Sequence, residues 1–302
     1  MKLLTFADPE APAKEHTGIY FPEKDAVLPV TALGLPDVDM NRLIVLAQDN
    51  AVLAKLNGAS AFLSEHPEQD SSLLSCKTLT RKAPIPHPIQ DVLCLGINYA
   101  AHAEESARYK KEVFERNRAY AVYFSKRVDE AVADGADIPS HSDVTSRLDY
   151  EVELAVILGR DALNVSPEQA MDYVFGYTIL NDVSARDLQT RHKQWYFGKS
   201  LDGFCPMGPW IVTKDEMDPV TGIRSYVNDE LRQNSTTALL MFDIPHIIAE
   251  LSSGMTLKTG TIISTGTPSG VGMGFEPPRF LSPGDVVRCE IDGIGTLTNT
   301  VR

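Results

Sequence analysis

Short apolar runs rich in β-branched residues recur along the last two thirds of the chain and predict a β-rich fold. They lie in the segments DVLCLGINY (91–99), YEVELAVILG (150–159), VFGYTILND (174–182), GPWIVT (208–213), GTIISTG (260–266) and DVVRCEIDGIGTLTNTV (285–301). Between them we predict helices only at a few places, notably 102–118, 167–173 and 243–253. Strands and helices do not alternate regularly, so a β-rich barrel or sandwich-like domain is favoured over a doubly wound parallel sheet.

The first 80 residues have a different pattern. A β-like piece (17–30), a helical stretch (39–57) and a polar tract (64–72) are followed by the proline cluster RKAPIPHPIQ (81–90). Such a cluster cannot continue a helix or a central strand, so it indicates a stiff connector. We therefore predict a small N-terminal α+β domain over residues 1–80. A β-rich α+β domain follows over residues 85–302.

Composition excludes several classes of protein. The chain has 302 residues, of which 43% are hydrophobic, and a net charge of −13, which is ordinary for a globular protein. A surface for nucleic acid or for an anionic membrane needs a basic stripe, and none appears. The N-terminus meets acid and proline before any apolar core of signal-peptide length, and no apolar run approaches the ~20 residues of a membrane span. We expect a cytoplasmic protein.

The cysteines indicate neither a zinc site nor a disulfide framework. Cys76, Cys94, Cys205 and Cys289 are widely separated and form no CxxC pair. We expect them to be reduced and structural.

An acidic pair stands at the mouth of the most apolar run. Side chains alternate along a strand, so Glu151 and Glu153 point to the same side, roughly 7 Å apart. One explanation is a half-exposed strand with two solvated carboxylates. The other is a cation between them, since buried like charges are costly and hard divalent ions prefer carboxylate oxygens.

Two glycine-rich stretches have weaker meanings. The segment STGTPSGVGMG (264–274) lacks the ending of a phosphate-binding P-loop, and a turn-rich loop between strands explains it better. Such a loop can still offer backbone N–H groups and the Thr267 hydroxyl to a small carboxylate. In GKSLDGFCPMGP (198–209), Lys199 on its own is most simply a solvated cation.

His102 and Glu105 are spaced i, i+3, which places them on one face of a short helix. The carboxylate can then orient the imidazole and raise its basicity. On the residues alone, a surface pair explains this spacing better. Asp182, in ILNDVSARD, is on the same grounds a helix N-cap.

Six motifs, taken together, resemble the fumarylacetoacetate hydrolase superfamily in order and spacing. They are LGINYAAHAEE, DYEVELAVILG, GYTILNDVSARDLQ, GKSLDGFCPMGP, GTIISTGTPSGVGMG and PGDVVRCEIDGIGTLTNTV. The resemblance covers residues 85–302 and implies a catalytic domain built as a β-barrel or a β-sandwich roll. Residues 1–80 resemble the small leading domain of short members.

The resemblance implies a metal centre and an acid–base pair. Glu151, Glu153 and Asp182 would bind one divalent cation, magnesium or manganese. A 2-oxo acid can chelate such an ion, which stabilises negative charge developing on the ketone. His102 and Glu105 would form the dyad that activates water, on a segment that closes over the substrate.

Further roles are implied near the metal. Lys199 matches the lysine that contacts the substrate or an intermediate oxyanion. Arg186 and Gln189 match polar substrate-binding residues that follow the metal aspartate. Thr267 would hold the substrate carboxylate.

The chain departs from the family pattern in two places. Where the family has F-x-K-P, YFSKRVDEAV places Arg127 instead of proline, which leaves any role of Lys126 in doubt. The longer hydrolases have a fourth metal carboxylate upstream of the dyad, whereas LGINYAAH offers Asn98 and no acid there. A site of three carboxylates is therefore expected.

The resemblance implies an enzyme that acts on a C–C bond of a small 2-oxo or 1,3-dioxo acid. We expect hydrolysis of a 3-acylpyruvate, with decarboxylation of oxaloacetate as a second activity. One alternative is a 2-hydroxyhepta-2,4-diene-1,7-dioate isomerase or hydratase of aromatic catabolism. Another is a non-catalytic regulatory protein that binds a 2-oxo acid. Family members of this size imply a homodimer, and exposed strand edges give a physical reason for one.

Overall fold

The structure is a computed structural model that describes residues 1–111, 113 and 119–302. Its strands are β1 Lys2–Asp8, β2 Ala11–Phe21, β3 Ala26–Pro29, β4 Leu74–Ser75, β5 Thr80–Arg81, β6 Val92–Gly96, β7 Val122–Lys126, β8 Asp137–Ile138, β9 Leu148–Asp149, β10 Val152–Leu158, β11 Val174–Asn181, β12 Ser184–Ala185, β13 Met207–Thr213, β14 Gly222–Val227, β15 Glu230–Thr236, β16 Ile262–Ser264, β17 Val286–Ile291 and β18 Gly295–Val301.

The helices are short, and the longest of those described, Ala100–Lys110, has eleven residues. The α-helices are α1 Met40–Leu46, α2 Asn50–Asn57, α3 Ala59–Glu65, α4 Ala100–Lys110, α5 Pro167–Ala170, α6 Arg186–Arg191, α7 Tyr196–Lys199 and α8 Ile244–Ser252. Turns of 3-10 helix are Pro22–Lys24, Val30–Leu33, Pro67–Ser72, Cys76–Thr78, Met171–Tyr173, Thr237–Leu239 and Gly272–Gly274. Among the described residues, every helix is too short or too polar to cross a bilayer.

Each apolar run that predicts a strand contains one, so those predictions are confirmed. The helical stretch 39–57 is two helices, because the Asp49 carboxylate accepts the Ala51 N–H at 2.7 Å and starts α2. The helix predicted over 102–118 is confirmed as far as Lys110. Residues 112 and 114–118 of that prediction lie outside the described residues.

One sheet of eleven strands forms the centre of the molecule. Its order is β4-β3-β2-β1-β13-β11-β10-β16-β6-β7, with β5 paired to β1. β10 lies antiparallel to β11, so Val152 at the start of one faces Asn181 at the end of the other. Strands from residues 1–80 join this sheet through the pairing of β1 with β13. The domain boundary at 81–90 stays a prediction.

β10 is buried on both faces, which explains its nearly continuous apolar sequence. Leu154 and Val156 belong to a core shared with the five-stranded sheet β15-β14-β17-β18-β8 and with α8. Ala155 and Ile157 belong to a core shared with α1, α2 and α3. The β-rich α+β class is confirmed. Within the described residues the two large sheets stay open, so the sandwich-like alternative fits better than a closed barrel.

Candidate functional site

Three buried carboxylates meet where β10 begins and β11 ends. Glu151 and Glu153 flank Val152, the first residue of β10, and Asp182 follows Asn181, the last residue of β11 and the partner of Val152. One oxygen from each carboxylate lies within 4.8 Å of the others. Glu151 is 4% exposed and Glu153 is 1% exposed, so the explanation by solvated carboxylates is wrong.

Glu153 is held by the glycine-rich segment 264–274. Its Oε2 atom accepts the Ser264 hydroxyl at 2.5 Å and the Gly266 N–H at 2.9 Å. Burial and the charges of Asp182 and Glu151 nevertheless raise the pKa of Glu153 well above its usual range. The positive charge near Glu153 is therefore too small to offset its burial and the two neighbouring carboxylates.

Glu151 and Asp182 share the Lys199 ammonium group. The Nζ atom of Lys199 lies 2.7 Å from Oε2 of Glu151 and 2.5 Å from Oδ2 of Asp182. Nη1 of Arg186 lies 2.6 Å from Oε1 of Glu151. Burial disfavours the charged form of Glu151, but Lys199 and Arg186 outweigh it and hold the pKa of Glu151 below its usual range. Burial opposes charge on Lys199 too, yet Asp182 and Glu151 raise the pKa of this lysine.

Lys126 is a fully buried cation behind the carboxylates. Its Nζ atom lies 2.9 Å from Oδ1 of Asp182 and donates to the carbonyls of Val183, Lys199 and Phe204. The neighbouring Arg127 N–H donates to the Ser200 hydroxyl at 3.0 Å, a bond that proline could not make. The departure from F-x-K-P therefore leaves Lys126 anchored at the site.

The donor set fits a hard divalent cation. Asp149 joins the three carboxylates as a fourth buried acid, against the buried cations Lys126, Arg186 and Lys199. In the part of the chain that the structure describes, the ligand atoms that converge at the cluster are carboxylate oxygens, which suit magnesium or manganese. The four acids outnumber the three cations, and the pKa of Glu153 is raised, so an additional positive charge would stabilise the cluster.

His102 and Glu105 both lie on α4 and are 5% and 7% exposed, so the explanation by a surface pair is wrong. Nδ1 of His102 lies 3.2 Å from Oε2 of Glu105. Because a carboxylate only accepts, Nδ1 carries the hydrogen and Nε2 is left to exchange a proton. The Gly270 N–H donates to Glu105 at 3.0 Å, and a Cβ on Gly274 would clash with the same carboxylate.

The predicted substrate-binding residues Arg186 and Thr267 differ in whether they keep a hydrogen-bond donor available for a ligand. Nη1 of Arg186 donates to Gln189 at 3.2 Å, while its buried Nη2 has no hydrogen-bond partner among the described residues. The Thr267 hydroxyl donates to the Val152 carbonyl at 2.9 Å and accepts from Gln233 at 2.7 Å. Arg186 thus has an unused donor, whereas the Thr267 hydroxyl hydrogen is already used.

A small, partly open cavity of about 20 Å³, roughly the space of one water, lies among these side chains. The predicted residues that line it are His102, Glu151, Glu153, Arg186, Gln189, Lys199 and Thr267. Asp182 and Glu105 lie behind that lining. A larger cavity of about 470 Å³, beside 127–137 and 201–205, contains none of the predicted residues. Charge and burial, rather than size, therefore mark the site.

Three residues that contribute to the site are not predicted from the sequence. Asp149 binds Arg186, Ser264 binds Glu153, and Trp195 lines the cavity. Asp149 shares the alternation of Glu151 and Glu153 in LDYEVE, which was the available signal. The N–H groups expected to bind a ligand carboxylate bind the protein's own acids instead, at Gly266, Gly270 and Gly272.

Residues 91–302 match the family model described as fumarylacetoacetate (FAA) hydrolase C-terminal. Oxaloacetate tautomerase YisK of Bacillus subtilis (strain 168) is 46% identical over 78% of this chain and 77% of its own. The structure resembles fumarylacetoacetate hydrolase EaFAH of Exiguobacterium antarcticum, with a TM-score of 0.80, 37% identity and coverage of 100% and 99% of the two chains. It also resembles maleylpyruvate hydrolase of Sphingobium sp. SYK-6, solved with manganese(II) and pyruvate, with a TM-score of 0.71, 29% identity and coverage of 100% and 98%.

Proposed function

The chain belongs to the fumarylacetoacetate hydrolase family, whose enzymes act on small organic acids, and we propose that it is a divalent-metal-dependent enzyme that enolises a 2-oxo acid. The proposed reaction interconverts the keto and enol forms of oxaloacetate. The observation that carries the proposal is the buried three-carboxylate cluster beside the buried His102. The relative named oxaloacetate tautomerase supports the choice of substrate.

The side chains of the site would have three roles: they hold the cation, bind the substrate carboxylate and transfer a proton. Glu151, Glu153 and Asp182 would hold the cation, which when bound supplies positive charge that stabilises an enolate. Arg186 offers its unused Nη2 donor to a substrate carboxylate. His102, oriented by Glu105, exchanges a proton with carbon 3 through Nε2.

Hydrolysis of a 3-acylpyruvate is the second candidate function. The dyad is buried beside the cavity, where it can deprotonate a water for attack on the 3-acyl carbonyl. Cleavage of the C–C bond then releases the enolate of pyruvate, so the charge to be stabilised is the same kind as in enolisation. Decarboxylation of oxaloacetate also yields that enolate and needs no activated water.

A substrate panel tests these proposals. Oxaloacetate, acetylpyruvate, fumarylpyruvate and 2-oxohept-3-enedioate would each be incubated with metal-stripped protein, with and without magnesium or manganese. We expect metal-dependent enolisation of oxaloacetate, followed by ultraviolet absorbance, to exceed the other rates. Faster cleavage of acetylpyruvate would favour the hydrolase, and faster conversion of 2-oxohept-3-enedioate the isomerase. A protein that binds oxalate with metal but converts nothing would be the regulatory alternative.

We also infer a homodimer, because β7 and β15 are edge strands among the described residues and a second copy could cover them. Light scattering at micromolar concentration should give twice the chain mass of 33.2 kDa. A fully active species of the single chain mass would contradict the dimer.

A further inference from the structure

Asp149 is a buried acid that does not line the cavity yet binds two separate segments around it, α6 and the turn Gly272–Gly274. Its Oδ2 accepts Nε of Arg186 at 2.8 Å and the Met273 N–H at 3.0 Å. Its Oδ1 accepts the Gly272 N–H at 2.6 Å and the Tyr150 N–H at 2.9 Å. Four donors satisfy this carboxylate, which leaves it no evident task at a metal.

The first link runs from Asp149 to the substrate end of the cavity. Arg186 is held at Nε by Asp149 and at Nη1 by Glu151 and Gln189. A guanidinium is planar, so fixing these two nitrogens also fixes the third. That third nitrogen, Nη2, is buried and has no hydrogen-bond partner among the described residues. Asp149 therefore sets the direction of the donor that remains for a ligand carboxylate.

The second link runs from Asp149 to the dyad. The same turn, Gly272–Gly274, that donates to Asp149 forms the surface on which α4 rests. Arg108 on α4 donates to the Gly274 carbonyl at 2.9 Å. Glu105 fills the space that a Cβ on Gly274 would occupy and accepts the nearby Gly270 N–H. Displacing this turn would displace Glu105, and with it the ring of His102.

We propose that Asp149 is a positioning residue that aligns Arg186 and the His102–Glu105 dyad at the same time. This inference rests on the proposed function. It adds that Arg186 and the dyad are both held by the Asp149 carboxylate. This shared contact fixes the position of the substrate carboxylate relative to Nε2 of His102. A displacement of about 1 Å is enough to cost about 100-fold in rate.

The test compares Asp149→Asn with Asp187→Asn, a matched aspartate on α6 whose carboxylate accepts from Thr145 and Ser146. Manganese(II) affinity of Asp149→Asn should stay within about twofold of wild type, the usual error of independent sites. Oxalate affinity in the presence of manganese(II) should fall at least about tenfold, because a hydrogen bond to a charged group is lost. The kcat for oxaloacetate should fall about 100-fold. Asp187→Asn should change none of these by more than about twofold.

Double mutants separate positioning from general damage. If Asp149 acts on binding through Arg186, then Asp149→Asn combined with Arg186→Lys should weaken oxalate no more than the worse single change. If it acts on turnover through the dyad, then Asp149→Asn combined with Glu105→Gln should lower kcat no more than the worse single change. Arg186→Lys should raise KM more than it lowers kcat, and Glu105→Gln should do the reverse. Additive losses in either pair would overturn that link.

The remaining outcomes are also decisive. If wild type converts no 2-oxo acid, the proposed function fails, yet the oxalate measurements still test the link to Arg186. Unchanged oxalate affinity in Asp149→Asn overturns that link. Asp149→Glu serves as a second variant that keeps the charge, and oxalate affinity should fall there too. If neither variant accumulates as folded protein, Asp149 is required by the fold itself and its positioning role is overturned.

Discussion

The carboxylate cluster and the dyad face one cavity but are built in different ways. The cluster stands on β10 and β11, adjacent strands near the middle of the eleven-stranded sheet. Its acids are held by buried cations and by the glycine-rich segment 264–274. The dyad stands on α4, whose contacts near the site include Glu105 with Gly270, Arg108 with Gly274 and Lys110 with the Trp195 ring.

The difference follows from what each half must do. Buried charges are tolerated only where partners are fixed in advance, so the acids need a rigid sheet. A cavity of about 20 Å³ is too small for the proposed 2-oxo acid, so binding that substrate requires part of the cavity wall to move. A short helix such as α4 moves at lower cost than a central strand that is hydrogen-bonded to neighbours on both sides. We therefore call the carboxylate cluster Glu151, Glu153 and Asp182 the built-in half of the site, and the His102–Glu105 dyad on α4 the docked half.

Glu153→Gln should produce the largest effect, because it removes a charge from the built-in half. Turnover and metal-dependent stabilisation should be lost together, the latter worth about 2.7 kcal/mol at a metal concentration of about 100 times Kd. Thermal unfolding with and without manganese measures this loss. Glu290→Gln, on β17, is the control and should keep both properties. Unchanged metal affinity in Glu153→Gln would refute the metal assignment.

Lys126→Met tests how strongly the built-in half depends on its buried cation. The change removes the ammonium group from Oδ1 of Asp182, which keeps Lys199 only at Oδ2, and takes the Lys126 donor from three carbonyl groups, so the free energy of unfolding should fall by about 3–5 kcal/mol. Urea denaturation measures it. Arg127→Met, at the neighbouring exposed position, should change stability by less than about 0.5 kcal/mol. Equal stability of the two variants would show that Lys126 contributes nothing beyond packing.

The sequence predicts the local geometry of both halves but not their burial. Alternation along a strand places Glu151 and Glu153 on one side, and helical spacing pairs His102 with Glu105. These are local rules, so they hold without knowledge of the fold. Burial is set by elements far away in the chain. For this reason the sequence alone could not choose between a surface pair and a buried dyad.

Contributions from distant residues were missed for the same reason. The carboxylate of Asp149 meets the Gly272 N–H across 123 positions of sequence, a contact that no local pattern indicates. The hairpin of β14 and β15 was also missed, although its turn at Asn228 and Asp229 has the positive φ angles that such residues tolerate. Asp182 was assigned to the metal only through the family resemblance. Its place beside Glu151 depends on the register between β10 and β11.

His102→Ala and Glu105→Ala test the docked half. Each should lower proton transfer by about 100-fold, the lower end for general acid–base catalysis, while metal affinity stays unchanged. The double mutant should cost little more than the worse single change, because the two side chains act as a unit. Decarboxylation of oxaloacetate, which needs no activated water, should fall less than hydrolysis of acetylpyruvate. Glu104→Gln, on an exposed face of α4, is the control. Additive losses, or reduced manganese binding, would contradict the separation of the two halves.

Trp195→Ala should produce the smallest effect, because it changes only the wall where the docked half meets the rest. Trp195, Lys110 and Gln189 line both the small cavity and an outer cleft of about 550 Å³. The indole ring packs against Gly96 so closely that no Cβ fits there, and it meets the Phe124 ring edge-on at 5.3 Å. Its removal should join the two spaces.

The expected result of Trp195→Ala is a change of preference. The ratio of kcat/KM for 3-butanoylpyruvate to that for acetylpyruvate should rise about tenfold, the usual scale for a pocket that gains room for a longer chain. Trp210→Ala is the control, since its indole stacks on Tyr20 and donates to the Ile294 carbonyl, away from the cavity. A ratio that stays constant while both rates fall would mean that Trp195 supports α4 without limiting substrate length. In that case α4, and not the Trp195 indole, would limit the size of the cavity.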